Sequence, residues 1–117
     1  MNISIDEIVI NMDIYGQKCL DTVECVIVDF KDEDSNRYIK LPEFNEVDII
    51  IDYINNRDCR TLKDIKRINN ITSIINVFHK KINDLQMYDD WIKHRNKYLC
   101  NLAKQWYESN EVHKIQK

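Results

Sequence analysis

KCLDTVECVIVDFKDEDSNRYIKLP, residues 18–42, decides what kind of fold this chain adopts. On either side of it apolar residues recur at steps of three and four. Within it the runs KCLDTV and ECVIVDF are short and rich in β-branched and aromatic side chains, the pattern of strands rather than of long helices. They predict a hairpin turning near Asp21 to Glu24, with Val26, Val28 and Phe30 on one face and Cys25 and Ile27 on the other. That turn contains neither Gly nor Asn-Gly, which leaves its geometry open. The polar KDEDSN then reads as a loop, and RYIKL as a third strand ending at Pro42, which has no N–H to give to a ladder.

Upstream, Ser4-Ile5-Asp6-Glu7 has the form of a capping box, and Ile3 and Ile8 are spaced to close a hydrophobic staple. A short helix over about residues 5–13 follows, with Gly16 placed as its left-handed exit. Downstream of Pro42 the helical period takes over. Asn45 caps a helix whose stripe is Val47, Ile50, Ile51 and Ile54, and Thr61 with Asp64 repeats the logic for Leu62, Ile65 and Ile68. Asn69-Asn70 breaks that helix, and Ile71, Ile74, Ile75, Phe78, Ile82 and Leu85 mark the next. The last helix runs from about Asp89 to Asn110.

The expected fold class is therefore α+β: a short N-terminal helix, a small antiparallel sheet made of a hairpin plus a third strand, then a four-helix C-terminal half. All of it belongs to a single domain, 1–117, with 1–42 the helix and small sheet and 43–117 the helical half. At 117 residues and 14.1 kDa the chain has the size of one domain. Its 44% apolar and 32% charged residues match a folded globular chain rather than a disordered one.

On the last helix, WIKHRNKYLCNLAKQW (residues 91–106) holds both tryptophans, a histidine, an arginine and a cysteine. Ile92, Arg95, Leu99, Leu102, Ala103 and Trp106 share one face, with Trp91, Tyr98 and Leu102 in an adjacent row. The two indoles stand roughly 22 Å apart at 1.5 Å per residue, too far to share a site. Packing at both ends of a helix is the reading preferred to a chemical one.

Few residues are arranged for chemistry. His94 and Cys100 point to different sides of their helix, and neither has a ligand at the i+3 or i+4 spacing of helical zinc sites. Asp29, Asp32, Glu33 and Asp34 crowd together without the central Gly and closing Glu of a calcium loop. A single Gly excludes phosphate cradles and dinucleotide turns, and the serines sit at caps, in the acidic loop or on helices. No catalytic residue, metal site or cofactor is expected. Cys19, Cys25, Cys59 and Cys100 lack Cys-x-x-Cys spacing and read as free thiols. No apolar run spans a bilayer, and MNISIDEIVINMD carries no basic signal-peptide segment, so a cytoplasmic protein without a membrane partner is expected.

From Tyr38 onward, YIKLP, VFHKKI, DDWIKHR and LAKQW occur in an order that resembles the small bacterial uncharacterised protein family UPF0158. The resemblance covers about three quarters of the chain and rests mostly on apolar landmarks, so it implies a shared fold and transfers no activity. Two features depart from it. ITSIINV (71–77) stands where the family tends to carry glycine and arginine, and Val23 stands near the place of its hairpin glycine.

Charge supplies the functional expectations. Residues 1–56 carry thirteen Asp or Glu against four Lys or Arg, a balance of −9, whereas 57–117 carry seven against thirteen, a balance of +6. Solvated helix faces account for such a split as readily as partners do. The leading expectation is a non-enzymatic protein-binding module, with an immunity- or antitoxin-like inhibitor as one concrete form. It would contact an unidentified protein through Asp29, Asp32, Glu33, Asp34, Glu43 and Glu46. The alternative is a nucleic-acid-binding regulator using Arg57, Arg60, Lys63, Lys66, Arg67, Lys80 and Lys81, with Lys93, Arg95 and Lys97 behind them. An exposed hairpin edge would also support a homodimer.

Overall fold

The first helix, α1 (Ile5–Met12), begins where its cap is encoded: the Glu7 N–H donates to the Ser4 hydroxyl at 3.1 Å, and Ile3 and Ile8 are both buried. The computed structural model describes residues 3–12, 17–30, 36–57 and 59–110. Gly16, proposed as the exit of α1, lies outside them, as do Asp32, Glu33 and Asp34. The architecture is the expected α+β arrangement. The contacts divide the chain into two units, Met1–Glu43 with Leu99–Lys117, and Phe44–Tyr98.

In the first unit, β1 (Lys18–Asp21), β2 (Val26–Asp29) and β3 (Tyr38–Lys40) form one antiparallel sheet in the order β2-β1-β3. Leu20 stands opposite both Ile27 and Ile39 on one face; Cys19 stands opposite Val28 and Lys40 on the other. The Leu20 face is the packed one. Ile3, Ile8, Leu20, Leu41 and Ala103 form the core there, with Val9, Met12, Ile27 and Trp106 against it. Each of the buried Ile and Leu side chains contributes about 1.5–3 kcal/mol on leaving water. The Trp106 indole N–H donates to the Lys40 carbonyl at 2.9 Å, fixing the end of β3.

The hairpin turn works without glycine. Cys25 takes the left-handed conformation, φ 56°, at a cost of roughly 1–2 kcal/mol. Offsetting bonds come from Asp21, whose carbonyl accepts from Cys25 N–H at 2.8 Å while its Oδ1 accepts from the N–H groups of Val23 and Glu24 at 3.0 and 3.2 Å. The expected faces of β2 hold for Val26, Val28 and Ile27, while Cys25 belongs to the turn.

In the second unit, α2 (Glu46–Asn55) starts at Asn45, whose side chain accepts from Val47 N–H at 2.9 Å. Its fully buried residues are Ile49, Ile50, Tyr53 and Ile54, so the buried stripe is turned slightly from the one expected. Thr61 is not a cap. The cap of α3 (Arg60–Lys63) lies two residues earlier, at Cys59 with no side-chain bond, and the helix tightens into a 3₁₀ turn over Asp64–Arg67. Leu62 and Ile65 of this stretch are both fully enclosed. Asn70 caps α4 (Ile71–Asp84) through Ser73 N–H at 3.0 Å, and Ile74, Phe78 and Ile82 are buried along it. The ends of the stripe, Ile71 and Leu85, are exposed. Gln86, φ 57°, closes α4 in the position glycine usually takes, with Met87 N–H reaching back to the Ile82 carbonyl at 3.0 Å. The last helix, α5 (Tyr88–Ser109), contributes residues 88–98 to this unit and 99–109 to the first.

Candidate functional site

Residues 90–95 of α5 carry the densest polar chemistry of the second unit, and it is turned toward α2. Trp91, 1% exposed, meets Phe78 and Tyr53 edge-on at ring centroid distances of 4.7 and 5.4 Å. Tyr53 buries its ring and brings its hydroxyl to the rim, where it donates to Asp90 Oδ2 at 2.7 Å. Arg57 Nε donates to the same oxygen at 2.8 Å, and its guanidinium lies 4.6 Å from the Tyr53 ring centre. Burial, reinforced by the bond to Asp90, pushes the Tyr53 phenol up to about 12. Arg57, and then Tyr53, hold the Asp90 carboxyl below its ordinary range.

One turn on, His94 Nε2 lies 2.7 Å from Asp52 Oδ2 while its ring stands edge-on to Tyr53. Arg95 clamps Glu46 with two bonds of 2.8 and 3.0 Å and covers the Phe44 ring. A carboxylate-bound histidine is also how a catalytic base is oriented. The contacts of His94 are a carboxylate and an aromatic ring, with no serine or cysteine among them. These links therefore join α2 to α5, and Arg95 reaches across the helix pair instead of interrupting an apolar stripe. Sequence periodicity places Arg95 on that face but cannot reveal Glu46, 49 positions away, as its partner.

The nucleic-acid candidates separate into two groups. Arg57 is committed to Asp90, and Lys81 Nζ donates to the Thr61 carbonyl at 2.9 Å. Lys66 donates to the Asn55 amide oxygen at 2.5 Å, a neutral partner that leaves its charge uncancelled. Arg60, Lys63, Lys66, Arg67 and Lys80 are exposed.

Acidic candidates are placed in different units. Glu46 belongs to the second, held by Arg95; Asp29 and Glu43 belong to the first. Asp29 pairs with Lys18, its side chain 83% exposed, and Glu43 accepts from Lys40 and Gln17 at 3.2 and 2.9 Å.

The buried carboxylate of the first unit is Asp21, which the charge pattern alone did not single out. Arg37 grips both its oxygens at 2.9 Å while Val23 and Glu24 donate from the turn. The Arg37 hydrogen bonds hold its carboxyl down at about 2, against the opposing effect of burial. The group thus stabilises the fold fully above the ordinary carboxylate range, and the contribution is lost as pH falls toward 2. Asp21→Asn should be less stable than the native chain at neutral pH, and the gap in urea midpoint should narrow between about pH 4 and pH 2. A constant gap would refute this role.

Opposite the packed face, the sheet carries Cys19 and Asp21, both buried on the central strand, with half-buried Val28 and Tyr38 and exposed Val26 and Phe30 around them. Val26 is 41% and Phe30 44% exposed, and Val23 at the turn is 66% exposed. β2 is an edge strand. Because Phe30 N–H bonds to the Gln17 carbonyl at 3.1 Å, the alternation of an antiparallel ladder aims the backbone groups of Ile27 away from β1, while the Asp29 carbonyl accepts from the Cys19 thiol at 3.5 Å. Elsewhere in this unit, Ile3, Ser4, Ile5, Lys104, Tyr107 and Glu108 line an open groove of about 440 Å³. It contains no nucleophile paired with a base.

Among the described residues no group of three or more His, Cys, Asp or Glu is placed to hold a metal ion. No helix there is long and apolar enough to cross a membrane. None of Cys19, Cys25, Cys59 and Cys100 forms a disulfide among the described residues. Comparison with known proteins finds no matching family model, no matching curated protein and no matching solved structure.

Proposed function

We propose that this chain is a non-enzymatic protein-binding module that docks a basic, extended segment of a partner protein on the free edge and open side of β2. The observation that carries the reading is the exposure of Val23, Val26 and Phe30 beside an edge strand whose opposite face is packed. Strand addition would use the outward backbone groups of β2 for affinity and its exposed side chains for selectivity. Glu24 is exposed at the turn and Asp29, paired with Lys18, at the far end of the strand, and the sequence continues into Asp32-Glu33-Asp34, which favours lysine or arginine in the incoming strand. Glu43 borders the same unit, whereas Glu46 acts as a structural partner of Arg95. An inhibitor that covers a basic toxin, as an immunity or antitoxin protein does, is one concrete form. A cytoplasmic setting belongs to this reading and is supported by four cysteines held outside disulfides. Kinship with UPF0158 is proposed at the level of fold and adds no activity.

The test is capture from host lysate after nuclease treatment, comparing the native chain with Val26→Lys, Phe30→Lys and the control Ile10→Lys. Ile10, 63% exposed on α1, is the matched apolar residue away from the strand. A stoichiometric protein that is lost at least tenfold with both β2 variants and retained with the control supports the reading. Capture that ignores both β2 variants, or size-exclusion data in which the edge serves only to join two copies of this chain, overturns it.

A further inference from the structure

The second unit has a different charge character. Residues 44–98 carry ten Lys or Arg against eight Asp or Glu, a balance of +2, and the rest of the chain carries seven against twelve, a balance of −5. Within it the basic residues are concentrated. Arg60, Lys63, Lys66 and Arg67 fall on the eight residues of α3 and the 3₁₀ turn, with Asp64 the one carboxylate among them. All four are exposed, while Leu62 and Ile65 of the same stretch are fully buried, so packing turns the cations outward. The Lys81 bond to the Thr61 carbonyl brings the second half of α4 to the start of α3, and the neighbouring Lys80 is exposed.

We infer that this ridge binds the phosphodiester backbone of a nucleic-acid duplex, a function separate from the β2 surface in both location and partner. The ridge extends about 12 Å at the 1.5–2.0 Å rise of α and 3₁₀ turns. Along that length a duplex presents about seven charges, at one per 1.7 Å of axis. Asn69, Asn70, Thr72 and Ser73 are exposed just beyond Arg67, adding the amide and hydroxyl groups that commonly contact phosphate and sugar. Single-stranded nucleic acid fits less well, because its recognition relies on stacking and Tyr53, Phe78 and Trp91 are buried in the unit's core. With no base-reading element on the ridge, binding is sequence-independent and falls steeply with salt.

Fluorescence anisotropy of the full chain tests this, using a labelled duplex of about two helical turns as DNA and as RNA, the corresponding single strand, and polyglutamate as competitor. Between about 50 and 200 mM salt, contact with about four phosphates predicts a slope near −4 in log K against log salt. Lys63→Glu with Arg67→Glu should weaken binding at least tenfold and make the slope shallower by about 2. Milder Lys63→Gln with Arg67→Gln should do the same in smaller measure, with circular dichroism confirming that each variant folds. Lys104→Glu on the other unit should change nothing. Comparing the DNA and RNA arms identifies the duplex recognised. Absence of duplex binding, tighter binding of the single strand, displacement by polyglutamate as effective as by unlabelled duplex, or indifference to the ridge variants would each overturn the inference.

Discussion

Trp91→Ala is expected to destabilise the protein by about 3–5 kcal/mol, the range for removing a fully enclosed aromatic side chain, whereas Trp106→Ala should cost distinctly less. Both residues sit on α5 and are chemically identical, so the contrast isolates environment. Trp91 is 1% exposed and fits edge-on between Phe78 and Tyr53, neither of which can collapse into the space without losing its own contacts. Trp106 is half-buried and contributes one hydrogen bond to the Lys40 carbonyl. Urea denaturation followed by far-ultraviolet circular dichroism avoids the loss of an indole fluorophore as a confounder. Equal costs for the two variants would contradict the packing assigned to them.

That contrast also shows where the sequence was legible. Caps are local, and Ser4 and Asn45 behave as their residue types require, while Asn70, read as the break after the preceding helix, also caps α4. Stripe positions were legible as a face but not in their exact orientation. Ile74, Phe78 and Ile82 are enclosed, while Ile71 and Leu85 of the same stripe protrude, because a period identifies a face and does not say how far the neighbouring element covers it. Thr61 falls inside α3, which begins after Cys59 with no side-chain cap, a start that no local residue type signals. The left-handed residues, Cys25 and Gln86, were invisible because neither is Gly or Asn; tertiary and turn hydrogen bonds make each tolerable.

Candidate sites were harder to read because charge composition does not reveal pairing. Glu46 counts as one more acid in an acidic half until Arg95 is seen clamping it, and Arg57 counts as one more base until Asp90 and Tyr53 appear beside it. Both partners come from more than 30 residues away. What remains at the surface is what packing leaves exposed: Val26 and Phe30 on β2 and the cations opposite Leu62 and Ile65. Asp21 lies at the opposite extreme, a carboxylate with so many donors that its chemistry is exhausted in holding the hairpin.

The two faces of the small sheet should therefore differ sharply in what truncation costs. Leu20→Ala removes a side chain 1% exposed on the central strand and is expected to cost about 2–5 kcal/mol. Phe30→Ala removes a larger side chain, yet one 44% exposed beside the edge strand, with the Lys40 ammonium 5.2 Å from its ring centre. An exposed cation–π contact contributes about 0.5–1 kcal/mol, so the total loss should stay near 1 kcal/mol despite the greater volume deleted. Urea midpoints of the two variants decide the point. If Phe30→Ala proved as damaging as Leu20→Ala, the open face would be part of the fold's own core and unavailable to a partner strand. If the Phe30 variant folds with near-native stability but loses the captured protein, the side chain is kept for binding, since its contribution to folding would be too small to account for a large aromatic residue standing in water.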